Sequence, residues 1–145
     1  MKIYLIGSLR NPAIPKIGQR LRDETGYEIF DDWYSAGPDA DDNLRDYERA
    51  RGHTYREILD GHAAKNIFNF DRYHLQTSDA AVLVLPCGKS AHLEGGWMLG
   101  QGKPLAVLAM NEPERVEVMH QFTDFVALDI EELIGWFTRR LGLIL

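Results

Sequence analysis

The sequence predicts an α/β fold with a mostly parallel sheet. Two observations carry this: short apolar runs at residues 3–6, 80–85 and 105–109, and helix-like segments between them. Each run is too short for a helix and closes on glycine or a polar turn. Nearly continuous apolar character suits strands buried on both faces. Weaker strand candidates lie at 27–30 and 125–128, which brings the expected count to five. Alternation of strand and helix along a chain argues for a parallel sheet.

The elements follow in order. After the first strand, a helix is expected over about 14–25, closing at Gly26, since glycine readily adopts the left-handed turn that ends helices. Residues 31–42, DDWYSAGPDADD, read as a loop carrying the large aromatics Trp33 and Tyr34. The stretch 44–78 is helical in composition, as two helices broken near Gly61. The last helix is the clearest. Ile130, Leu133, Ile134, Phe137 and Leu141 recur at helical spacing behind Asp129 as N-cap, with Glu131 and Glu132 in the first turn.

At 145 residues the chain is the size of one domain, read here as 1–145. A net charge of -6 disfavours a nucleic-acid polymer as partner, because that binding relies on Lys and Arg displacing counterions from phosphates. A small anion remains compatible with a local basic site. Cys87 is the only cysteine, so neither an internal disulfide nor a multi-thiolate metal site can form. The opening MKIYLIG is strand-like and no apolar run approaches the ~20 residues that span a bilayer. A cytoplasmic protein without membrane contact is expected. His74 and His92 lack partners at metal-ligand spacing, and neither metal nor cofactor is implied.

In open parallel sheets ligands collect at the carboxyl ends of the strands. Gly7-Ser8-Leu9-Arg10-Asn11 follows the first strand: glycine allows close backbone approach, serine offers a hydroxyl, and arginine grips phosphate. The same residues also make a plain strand-to-helix turn. Gly88-Lys89-Ser90 ends like a P-loop, but Leu83 stands where that motif needs its first glycine, so the NTPase reading is rejected. Ser90 is the expected N-cap of the next helix, with Glu94 in its first turn, held anionic by the helix dipole. Gly95 and Gly96 beside it leave room for a ligand. Glu94 is either a carboxylate nucleophile or an acid that merely complements the dipole. Asp71 falls between Phe68 and Leu75 on an apolar stripe, a costly slot for a carboxylate without partners, and is read as a ligand-facing acid or a cap. Tyr4, inside a buried strand, needs a partner for its hydroxyl. Trp33 is the candidate for stacking on a base.

Tyr4 before Gly7, Asp71 eight residues before Asp79, and HLEGG before GQGKP together resemble the nucleoside 2-deoxyribosyltransferase family and its 2′-deoxynucleoside 5′-monophosphate N-hydrolase relatives. The likeness spans most of the chain and is weakest at 31–66. It implies a flavodoxin-like three-layer sandwich, a homo-oligomer and a small nucleoside or nucleotide substrate. It further implies that Glu94 attacks C1′, that Tyr4 orients Glu94, and that Asp71 handles the proton of the leaving base. Where the transferases carry a further acid six residues before the nucleophile, this chain has Gly88. The hydrolase branch holds a 5′-phosphate with a Gly-Ser-x-Arg turn and a serine before the glutamate, matched here by Gly7, Ser8, Arg10 and Ser90. The expected activity is cleavage or transfer of an N-glycosidic bond through a covalent glycosyl intermediate. An NAD-type glycohydrolase and a non-catalytic nucleotide-binding module are the alternatives.

Overall fold

In the computed structural model, which describes residues 1–141, five parallel strands form one sheet. They are β1 (Lys2–Ile6), β2 (Glu28–Phe30), β3 (Ala80–Val84), β4 (Leu105–Leu108) and β5 (Phe125–Ala127), in spatial order β2-β1-β3-β4-β5. This is the flavodoxin-like order, and every neighbouring pair is parallel. All five expected strands are present. The last four residues of the expected 1–145 span lie outside the described residues.

The side-chain period of two sorts each strand onto two cores. Ile3, Leu5, Val82, Val84, Ala106 and Leu108 face one side. There they meet α1 (Ile14–Thr25) and α6 (Ile130–Trp136), the latter continuing through a wider turn, Phe137–Leu141. Tyr4, Ile6, Ala81, Leu83, Leu105 and Val107 face the other side, under α4 (His62–Thr77) and α5 (Lys89–Gly100). Two sets of helices over a doubly buried sheet explain why the strands read as unbroken apolar runs.

Helix α1 has the expected bounds, and Gly26 closes it at φ 69° with its N–H donating to Arg22 O. Asp129 caps α6 by accepting from the Glu132 N–H at 2.9 Å. The stretch after the aromatic loop holds three helices where two were expected: α2 (Ala40–Ala50), α3 (Tyr55–Asp60) and α4. Gly61 makes the expected break. The additional break comes at Gly52, where φ is +82°, followed by a capping box in which Thr54 and Glu57 satisfy one another's backbone N–H groups. Within the aromatic loop, residues Asp32–Ala36 form a single 3₁₀ segment. Among the described residues no helix is long and apolar enough to cross a membrane.

Candidate active site

Three carboxyl and hydroxyl groups from three elements converge on the α4/α5 side of the sheet. Tyr4 projects from the middle of β1, is 1 % exposed, and packs its ring against Phe30 at 5.1 Å between centroids. Its hydroxyl lies close enough to the Glu94 carboxylate for the two to shift one another's proton affinity. Burial, together with the negative charges of Glu94 and Asp71, drives the Tyr4 hydroxyl well above the usual tyrosine range, so it remains a donor. Glu94 comes from α5 and Asp71 from α4, and both are half-buried.

Burial is also what dominates the two acids. It pushes the Glu94 carboxyl up to about 7, with the Asp71 charge adding to the rise and the polar Tyr4 hydroxyl nearby opposing it. Burial and the charge of Asp41 push Asp71 up to about 6. The expectation that a helix dipole holds Glu94 anionic is therefore corrected. Helix α5 begins at Lys89, with Gly88 as its N-cap in extended backbone, so Glu94 is the sixth helical residue rather than a first-turn acid. The favourable dipole field has largely faded by that depth, and desolvation decides the direction.

The same correction applies to Ser90, which is the second residue of α5 and not its cap. Gly88 takes the cap because the helical bonding starts two residues earlier than expected, with the His92 N–H donating to Gly88 O at 3.3 Å. The His92 ring closes the same turn, its Nδ1 donating to Gly88 O at 2.9 Å. Of the two glycines beside Glu94, Gly95 is buried against the sheet, where a Cβ would stand 3.1 Å from Leu105 Cδ2; only Gly96 faces open space. The apolar stripe proposed for α4 also changes: Leu75 is buried, but Phe68 is 60 % exposed, so Asp71 sits at the edge of the packed face.

Next to this cluster a cavity of about 260 Å³ opens between the carboxyl ends of β1 and β3, lined by Ser8, Arg10, Asn11, Pro86, Cys87 and Gly88. Cys87 links the two regions: it lines the cavity, and after burial the Glu94 charge is the second cause that pushes its thiol up to about 11. The thiol is thus protonated and a poor nucleophile. Ser8 Oγ accepts from the Arg10 N–H at 3.1 Å, shaping the turn while leaving its own hydroxyl proton to donate. A Cβ at Gly7 would come within 2.7 Å of Ile14 Cδ1, so a side chain there would have to displace that methyl group.

The structure thus gathers Tyr4, Glu94 and Asp71 in one place and Ser8, Arg10 and Gly88 beside it. Ser90 is exposed outside the cavity lining. Trp33 is half-buried, its indole N–H donating to Leu5 O at 2.7 Å, so any contact with a base falls to the ring itself. Two residues, Asp41 and Asp42, escaped the sequence reading, and a third, Asn11, entered it only as the end of the segment 7–11. Asn11, 8 % exposed, holds its Oδ1 on the Ala13 N–H at 3.0 Å and leaves Nδ2 buried without a hydrogen-bond partner among the described residues. Asp42 on α2 pairs with Arg10 at 3.1 Å, and Asp41 beside it acts on Asp71. Only the position of Asn11, immediately after Arg10, was a usable signal in the sequence. Among the described residues no group of three or more His, Cys, Asp or Glu side chains is arranged to hold a metal ion.

No protein-family model and no curated protein sequence matches the chain. Solved structures do. A 2-deoxyribosyltransferase from Bacillus psychrosaccharolyticus aligns with a TM-score of 0.67 at 16% identity, covering 99% of this chain and 96% of its own. A conserved protein from Enterococcus faecalis V583 aligns with a TM-score of 0.64 at 16% identity, covering 97% and 99%. The CMP N-glycosidase BcmB of Clostridium botulinum aligns with a TM-score of 0.55 at 13% identity, covering 95% and 99%. The resemblance read from the sequence is met again in three dimensions, and the chain is similar over nearly its whole length to the fold of nucleoside 2-deoxyribosyltransferases.

Proposed function

We propose that this protein is an enzyme that breaks, or exchanges, the N-glycosidic bond of a nucleoside 5′-monophosphate or nucleoside. The observation that carries the reading is the buried Tyr4–Glu94–Asp71 cluster, drawn from β1, α5 and α4. Fold likeness to a 2-deoxyribosyltransferase and a CMP N-glycosidase adds to it. Glu94 in its ionised form attacks C1′ while the C1′–N electron pair leaves with the base, which takes a proton from Asp71. Water or a second base then attacks C1′, Glu94 departs as carboxylate, and Asp71 recovers a proton from the incoming nucleophile. Tyr4, locked as a donor, fixes the attacking oxygen.

Ser8 and Arg10 supply a phosphate grip on the neighbouring cavity, which tilts the reading toward a 5′-monophosphate with water as acceptor. Ser90, exposed in the first turn of α5, is the remaining candidate for that grip. A homo-oligomer fits the exposed apolar residues of α4, Ile67, Phe68, Phe70 and Tyr73, which a partner would cover. Light scattering should give a multiple of 16.5 kDa. The lone Cys87 fits a cytoplasmic setting.

The function is tested by chromatography of reactions with nucleosides, their 5′-monophosphates and NAD, each with and without a second free base. Free base from monophosphates is the expected result. A new nucleoside formed only when the second base is present makes the protein a transferase, and nicotinamide release makes NAD the substrate. Tight nucleotide binding with no product after long incubation overturns catalysis altogether. Arg10→Ala should raise KM for monophosphates by about tenfold or more, the loss of a charge-assisted contact, with a much smaller change for nucleosides.

A further inference from the structure

We infer that Asp42 is a specificity-determining residue: its carboxylate sits on Arg10 as an internal competitor that a substrate's 5′-phosphate must displace. The inference rests on reading Ser8 and Arg10 as the phosphate grip, and it concerns a residue on a different element, the first turn of α2. Arg10 Nη2 donates to Asp42 Oδ2 at 3.1 Å at the mouth of the cavity, and the two side chains are 69% and 41% exposed. An ion pair this exposed is weak. A phosphate dianion, with twice the charge and several acceptor oxygens, outcompetes one carboxylate for a guanidinium, whereas a neutral nucleoside offers Arg10 nothing in exchange.

One further feature fits such an exchange. Asp42 Oδ1 already lies 3.4 Å from Arg45 Nη1, one turn along α2, so the displaced carboxylate retains a cationic partner. The pocket is thereby set against weaker anions: a ligand must both reach Arg10 and repay the loss of Asp42.

The test is direct binding of inorganic phosphate and of ribose 5-phosphate by calorimetry to the wild-type chain, Asp42→Asn, Asp42→Ala and Arg10→Ala. Both Asp42 variants should bind about two- to fivefold more tightly, the size an exposed pair supports, and Arg10→Ala should lose binding. A wild type with no measurable binding beside Asp42 variants that bind also supports the inference. Unchanged or weaker binding in both Asp42 variants, or no binding by any of the four, overturns it. The two readings fail separately. A protein that cleaves monophosphates while ignoring the Asp42 substitutions keeps its function and loses the competitor. One that cleaves no nucleotide but binds phosphate more tightly without Asp42 loses the function and keeps the competitor.

Discussion

Replacing Glu94 with glutamine is expected to reduce turnover by about 10⁴-fold or more, because a neutral amide cannot form the glycosyl ester. The substitution is almost isosteric, and the amide oxygen can still accept from the Tyr4 hydroxyl, so lost activity will not be lost structure. A measurement of stability separates the two. The Glu94 carboxyl stands at about 7 in the fold against an ordinary 4.5, raised mainly by burial. A carboxyl raised on folding contributes its full stability below the unfolded value, and that stability is lost as pH rises through the folded value. The cost is therefore absent near pH 4, grows between about 4.5 and 7, and is complete above that window. Glutamine never ionises. Glu94→Gln should melt with the wild type at pH 4 and above it at pH 8. A dead enzyme that is more stable at pH 8 is the signature of a functional carboxylate held where the fold would prefer none. Activity surviving the substitution would remove Glu94 from the chemistry.

How far the sequence could lead depended on the range of the interactions involved. The strands were legible because residues such as Val82 and Val107 are buried on a doubly covered sheet, and composition alone reports that. Helices α1 and α6 were legible from local caps, Gly26 and Asp129. Local chemistry also misled. Ser90 looks like a cap, but the cap is Gly88, which places Glu94 two residues deeper and replaces dipole control with desolvation. Asp71 was legible as an acid in an unusual slot even though its neighbour Phe68 proved exposed. The Arg10–Asp42 pair was not legible at all. Its members are 32 residues apart, and only the packing of α2 beside the β1 turn brings them together.

The pH dependence of kcat/KM should be a narrow bell centred near 6.5, between Asp71 at about 6 and Glu94 at about 7. The proposed mechanism needs Glu94 ionised and Asp71 protonated, and both carboxyls are raised by burial, so the coupled pair bounds the active range on both sides. Activity falls below pH 6 as Glu94 also holds its proton, and above pH 7 as Asp71 can no longer supply one. Asp71→Asn should lower the rate by about 10²–10⁴-fold through loss of the general acid. It should also change the shape of the profile. With the Asp71 charge gone, Glu94 loses one of the two causes that raise it and ionises below 7, giving a single rising limb and a plateau on the alkaline side. A leaving base that departs readily without protonation should recover much of the lost rate, since Asp71 matters only to bases that need a proton. An alkaline limb that persists in Asp71→Asn would assign the proton to another group. A rate insensitive to the leaving base would place Asp71 outside the bond-breaking step.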